Sequence, residues 1–452
     1  MSHVLITYKK KLKDLQAEDL GVPESKIVKR FKHAPIIVAD LDGGEVSALE
    51  KHKHVLAVEP DGIVSIPEGE DLTLESAIAE DRAPWGIAKV RAAEVHALGV
   101  KGAGIKVAII DTGIDFNHPD LATIYKGGVN FVTLNTPPMD DHNHGTHCAG
   151  TVSAILDGQG VFGVAPSIEL YAVKVLNAQG SGSWTAVISA YDWCIQNGMH
   201  ITSNSYSGSA GSVALETALN AAVDAGILMI FAAGNSGAGS GGSTVGYPAK
   251  YAKAIAVSAT DQNDVIASFS SRGPEIACAA PGVGVESTIR NGAYGTMSGT
   301  SMACPHVAGA CALALSKGYS AAEVRSRITT TLVDLGTPGK DTLYGWGRMD
   351  TFRFVFAEDP NIPHFKSPIS LDASASSDPD GVIVEYKFVT SNGQTLMGTR
   401  HTVTMTPGTY TVTLTVTDDQ GASSSLAKQL VIDPVAPPPN QLPIAAFTVT
   451  GA

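Results

Sequence analysis

The chain has 452 residues, of which 44% are hydrophobic and 17% charged. That is enough apolar matter for a large core divided over more than one domain, and too much for a mainly disordered chain. A formal net charge of −13 excludes the overall basic footprint of a nucleic-acid-binding protein, and five cysteines are too few for a disulfide framework.

No apolar run is long enough to span a bilayer. Met1 to Tyr8 lacks the apolar core and cleavage site of a secretory leader. Either the protein stays inside the cell or its leader has been removed. Residues 1–79 combine short β-like runs (Val4 to Thr7, Pro35 to Ala39, Val55 to Glu59) with helices expected around Asp14 and Val46, a small α+β unit. It ends in an acidic, turn-rich stretch, Pro67-Glu68-Gly69-Glu70-Asp71.

Residues 80–357 read as α/β. Apolar runs at Ile105 to Ile110, Leu170 to Val175, Ile227 to Ala232 and Ala254 to Ala259 alternate with helical patterns at Trp184 to Asn197 and Leu215 to Ala225. Such alternation indicates a parallel sheet covered on both faces. Pro360 to Pro368 reads as a linker. Within residues 363–434, Thr402 to Met405 and Tyr410 to Thr417 alternate with a period of two, which predicts a small antiparallel β-sandwich. Residues 435–452 are a proline-rich linker followed by the start of a further β module.

Three stretches of the α/β segment carry chemistry. In Ile109-Ile110-Asp111-Thr112-Gly113 an apolar strand delivers Asp111 to the carboxyl edge, where parallel sheets place ligands. In His144-Gly145-Thr146-His147-Cys148 a histidine opens a helix of small residues. In Gly299-Thr300-Ser301-Met302-Ala303-Cys304-Pro305 a glycine turn presents Ser301 at a helix start. Pro305 is expected near the first turn, where helical N–H groups lack partners. A serine hydroxyl needs a base within reach, which His144 supplies, and Asp111 would orient the imidazole. Asn235, after the apolar run ending Ala232-Ala233-Gly234, and the Ser301 amide would stabilise an oxyanion. Taken singly, each residue reads as a turn, cap or structural residue.

The Asp, His, Ser order and the letters of all these motifs resemble the subtilisin family of serine proteases over about residues 80 to 350. The resemblance implies a serine endopeptidase acting through an acyl-enzyme on protein or peptide substrates. It implies a groove in which Gly180, Ser181 and Gly182 form one edge and Ser205, Tyr206 and Ser207 the other, so that substrate adds as a strand. Ala232, Ala233, Gly234 and Gly246 would wall the main specificity pocket, with Ser207 narrowing it, and Trp184 would cap a second pocket or pack in the core. A structural Ca2+ would draw on carboxylates of Asp120 and Asp157, carbonyls of Ile155, Gln159 and Val161, and Asp81 in place of the family's N-terminal amide. A weaker cation site near Ala249, Tyr251 and Glu275 lacks the usual carboxylate, since Ala277 stands there. Cys148 and Cys304 read as buried thiols beneath the site, and pairing of Cys194, Cys278 and Cys311 stays open.

Residues 1–79, with Val55 to Asp61, resemble the family's inhibitory pro-region, which implies a self-processing zymogen inhibited by its own N-terminal segment. Leu371 to Gly381 with Tyr410 to Gly421 resembles a PKD-type domain without that family's aromatic-Asp-Phe-Gly-Asp-Gly core. These resemblances imply a secreted monomer with no membrane span, intracellular location being the alternative. An esterase or peptide ligase on the same triad, and an inactive adhesive protein, are the rival readings.

Overall fold

The computed structural model describes residues 2–9, 17–75, 82–239, 241–356, 364–406 and 408–433. The helix expected around Asp14, the Pro360 end of the linker and the expected module after 434 lie outside them. Two compact units divide the chain, residues 1–356 and 357–452.

The first unit is built on seven parallel strands. Their order is Ile276–Pro281, Ile255–Thr260, Leu228–Ala232, Ile201–Asn204, Lys106–Asp111, Glu169–Lys174 and Tyr125–Asn130. The central strands are buried along their length on both faces, which is why they read as continuous apolar runs instead of alternating ones. The α/β architecture expected from sequence is the one observed. Helices Trp184–Gln196 and Val213–Asp224 are capped by Ser183 and Ser212, whose side chains accept from Ala186 N and Leu215 N.

The N-terminal segment adds an antiparallel sheet ordered Ile27–Arg30, Ile36–Leu41, Ser2–Tyr8, Val55–Pro60. Period-two alternation explains how it serves two cores. Val4, Ile6, Ile37 and Ala39 form a core of their own with Leu49 and Val46 of helix Gly43–Leu49. Leu5, Ile36 and Val38 point the other way, into the main core with Tyr191, Leu215 and Leu219. The small unit that sequence treats as separate is therefore continuous with the α/β body.

The second unit has a five-stranded sheet and a two-stranded sheet. Ile369 and Val403 of the smaller sheet share a core with Phe388, Val412, Leu430 and Ile432 of the larger, the sandwich that the alternating strands predict. Among the described residues, no helix is long and apolar enough to cross a membrane.

Two histidines buried in the first unit set an acid limit on stability. His147 donates to Val285 O (3.0 Å) and His306 lies 2.8 Å from Met302 O. Burial lowers His147 to about 3 and His306 to about 4. The unfolded chain protonates them near the ordinary value of 6.5, whereas the folded chain does not until about 4 or below. Their contribution is thus whole above pH 6.5 and is lost as pH falls toward 4, at about 1.4 kcal/mol per unit for each. The melting temperature is expected to drop over that window while NMR titration finds the His306 ring still neutral at pH 5.

Candidate active site

Asp111 ends the strand Lys106–Asp111 in the middle of the sheet and has no exposed surface. Helix His144–Ser153 starts directly above it. Its approach depends on Gly145, where a Cβ would lie 2.1 Å from Gly113 O. The Gly145 N–H donates to Thr112 Oγ1 (2.9 Å), and Thr112 Oγ1 donates to Asp140 Oδ1 (2.8 Å). Asp140, itself buried, accepts from Thr146 N, Thr146 Oγ1, His142 N and Asn143 N. This network pins the start of the helix to the end of the strand. It leaves His144 Nδ1 2.7 Å from Asp111 Oδ1 with neither side chain exposed.

The other ring nitrogen, Nε2, lies 2.9 Å from Glu70 Oε2. Burial disfavours charge on the ring, but Asp111 and then Glu70 outweigh it and raise His144 to about 10. With a carboxyl oxygen within hydrogen-bond distance of each nitrogen, both nitrogens are engaged, and the raised value favours the imidazolium.

Ser301 sits in the first turn of helix Thr300–Ser316. Pro305 lies in the second turn, not the first, and removes the N–H that would bond Ser301 O. Ser205 Oγ (3.0 Å) and Cys148 Sγ (3.5 Å) donate to that carbonyl in its place. The Ser301 hydroxyl donates to Ser205 O at 3.3 Å. Asn235 follows Gly234, which holds a left-handed backbone with φ +103°. Asn235 Oδ1 accepts from Thr300 N (3.0 Å) and Thr300 Oγ1 (2.9 Å), so its Nδ2 is turned into the site. There it donates to Glu70 Oε1 (2.9 Å) and Glu68 O (3.1 Å).

The groove residues fall on both sides of a strand from the chain itself. Ile63–Ser65 pairs antiparallel with Ser181–Ser183. Ser65 exchanges hydrogen bonds with Ser207 (2.9 and 2.8 Å), and Ile66 N donates to Gly180 O (2.9 Å). Trp184 packs so closely under Gly62 that a Cβ there would lie 2.2 Å from its ring. A cavity of about 750 Å³ beyond Ile66, Pro67 and Glu68 is lined by Ser207, Asn235, Gly246 and Tyr247. Ser207 narrows it, since a Cβ on Gly246 would meet Ser207 Oγ at 2.0 Å. Ala232 and Ala233 are buried behind. Tyr206 does not join the groove with its side chain: its hydroxyl meets Tyr191 OH and Asn204 Oδ1, each at 3.0 Å, inside the core.

The oxygen-rich loop also converges. Asp157, Gln159, Asp120 and Tyr294 line a cavity of about 330 Å³. Asp120 is 2% exposed and accepts from Val161 N and Tyr294 OH, both at 3.1 Å. Burial above all, with Asp157 nearby, raises its carboxyl. Ile155 is tied to this corner by its N–H to Asp120 O (3.0 Å). A buried carboxylate beside a second one, with a tyrosine hydroxyl and a glutamine side chain on the same cavity, fits a hard cation. Asp81 lies outside the described residues. At the second cation position, Glu275 Oε2 accepts from Ser243 Oγ (2.6 Å).

Glu70 and Asp140 were not singled out by sequence, and Glu59 and Asp61 only as letters of the Val55 to Asp61 run, without a role of their own. For Glu70 the only signal is the acidic turn in which it stands.

Comparison with known proteins agrees with this architecture. A family model described as "Subtilase family" matches residues 102–347, and one described as "PKD domain" matches 356–432. The chain is 44% identical to subtilisin E of Bacillus subtilis (strain 168) over 329 residues, 72% of this chain and 82% of that one. It is 42% identical to an alkaline protease of Shouchella clausii over 326 residues (72% and 80%). Against subtilisin DY of Bacillus licheniformis it is 49% identical over 255 residues (56% and 92%).

All five cysteines are buried and unpaired. Burial raises every one of their thiols, Cys304 to about 11 and Cys148 well above the ordinary value, so thiolate is scarce near neutral pH. Titration with a disulfide reagent is expected to find little fast reaction in the native protein and five thiols after denaturation. Mercurials that do reach Cys148 or Cys304 are expected to abolish activity.

Proposed function

The chain belongs to the subtilase family, and from that premise we infer that Ser301, His144, Asp111 and Asn235 perform its peptide-bond hydrolysis. It is a subtilisin-like serine endopeptidase with a PKD domain, and its substrates are peptides. The observation that carries the residue assignment is the 2.7 Å pair of His144 and Asp111, wholly buried beside the helix start that bears Ser301.

In this reading Ser301 Oγ attacks the substrate carbonyl carbon and passes its proton to His144 Nε2. Asp111 holds Nδ1–H and stabilises the imidazolium. The oxyanion accepts from Asn235 Nδ2 and from the Ser301 N–H, which has no helical partner at the N-terminus. His144 then returns the proton to the leaving amine as the C–N bond breaks. Water, deprotonated by His144, hydrolyses the acyl-enzyme by the reverse path.

Residues 1–79 serve as an inhibitory pro-region on an 80–357 catalytic domain, and the chain is a zymogen that processes itself. Support comes from the strand Ile63–Ser65 lying in the groove. Glu59 also accepts from Val213 N and Ala214 N at 3.0 Å, and Asp61 from Thr185 N at 3.0 Å. Both carboxylates stand at positive ends of catalytic-domain helices. Calcium would be held by Asp120 and Asp157 with carbonyls of Ile155, Gln159 and Val161 and with Asp81, and would tie the loop down without entering the chemistry. The PKD-like domain spans 363–434, and the enzyme works as a secreted monomer.

Ser301→Ala is expected to abolish hydrolysis of casein and of peptide substrates, and to leave the purified N-terminus untrimmed where the parent is cut. Asn235→Ala is expected to lose about 10²–10³ in kcat, the magnitude known for such a donor in subtilisin. Calcium at a hundredfold excess over its dissociation constant is expected to stabilise the fold by about 2.7 kcal/mol. Thermal melts with calcium and with chelator should register this in the parent and much less in Asp157→Asn.

A further inference from the structure

We propose that Glu70 is a carboxylate latch: its side chain occupies the imidazole nitrogen that must serve Ser301 and the amide that must serve the oxyanion, holding the intact chain latent until the turn around it leaves. The proposal rests on the catalytic reading above and adds the means of its restraint.

The Glu70 side chain is 2% exposed. Oε2 lies 2.9 Å from His144 Nε2 and Oε1 2.9 Å from Asn235 Nδ2. It also presses on the turn before Ser301, where a Cβ on Gly299 would lie 2.2 Å from Oε1. Ser301 Oγ meanwhile donates to Ser205 O (3.3 Å), and no described hydrogen bond joins it to His144. A base already paired by carboxylates at both nitrogens has no lone pair for the serine proton. Charge-assisted bonds at both ends of one carboxylate are among the stronger side-chain contacts.

The backbone places this side chain for reasons that can be traced. Ile63 to Ile66 lie as an added strand. Pro67 has no N–H, so the ladder cannot run on. Gly69 then takes φ +81°, a left-handed turn open to glycine. The chain is recaptured at Thr73–Leu74, which pairs with Gly295 and Thr296. Pinned on both sides, the 68–71 turn points Glu70 inward. The charged or titratable groups facing the His144 ring are Asp111 at Nδ1, Glu70 at Nε2, His142 at 6.3 Å between ring centroids, His147 and Cys148. Burial keeps His142 below its ordinary value, which leaves Glu70 as the anion that a change of this turn would withdraw.

The test uses the full chain. Parent, Glu70→Gln and Glu70→Ala are purified and followed from the start for hydrolysis of a chromogenic peptide and for N-terminal mass. Both variants are expected to shorten the lag before full activity by about tenfold or more, the scale of one lost charge-assisted bond. Lags equal to the parent's would overturn the proposal. In a Ser301→Ala background, which cannot cut itself, NMR titration of the His144 ring gives a second reading. The imidazolium is expected to persist toward pH 10 in the Ser301→Ala chain and to titrate at distinctly lower pH when Glu70→Gln is added. Superimposable curves would overturn the latch even in a chain that proves inactive. If none of the proteins hydrolyses peptide after its N-terminal segment is removed, the catalytic reading fails, and the titration decides the latch by itself.

Discussion

The arrangement depends on one contact: His144 Nδ1 against Asp111 Oδ1 at 2.7 Å, in a place with no solvent. Burying a carboxylate is costly unless it is paired. The cost is met because the parallel sheet fixes Asp111 at the end of a central strand and a glycine lets the His144 helix descend onto it. A side chain at Gly145 would strike Gly113 O and lift the helix. The Thr112, Asp140 and Thr146 bonds then remove the remaining freedom. The imidazole is thus oriented by the fold before any ligand arrives, which is the preorganisation that acyl transfer requires.

The same economy appears under Ser301. A proline inside a helix would normally leave a carbonyl bare. Here that carbonyl belongs to Ser301 itself, and Ser205 and Cys148 satisfy it. The serine, the groove edge and the His144 helix are thereby joined through one acceptor. Cys148 is better understood as this donor than as a nucleophile, since burial suppresses its thiolate.

Asp111, His144, Ser301 and Asn235 stand out in the sequence because each lies in a contiguous motif at a strand end or helix start and the motifs occur together in one order; singly, each would pass for a turn or cap residue. The sheet was legible for a similar reason: runs such as Ile227 to Ala232 are apolar without alternation. The start of the Ser301 helix was legible to within one residue, which puts Pro305 just past the first turn, where its missing N–H falls opposite the Ser301 carbonyl. Glu70 was not legible at all. It meets His144 across 74 positions, and nothing local distinguishes it from Glu68 or Asp71 in the same acidic turn. The unity of the N-terminal sheet with the main body was hidden too, since period-two alternation shows two apolar faces without saying what the second one covers.

That second face separates two kinds of contact that the N-terminal segment makes. Its attachment is distributed: Leu5, Ile36 and Val38 in the shared core, Glu59 and Asp61 at helix starts, and the short ladder of Ile63–Ser65. No single one of these reaches the reacting groups. The contact with His144 and Asn235 is local, made by one side chain on a turn between two pinned strands. Binding spread over a large apolar and polar surface resists removal of any one part, whereas a contact made by one side chain can be withdrawn by a change of a few residues in one turn. The attachment of the segment and its contact with His144 and Asn235 are therefore physically separable in this fold.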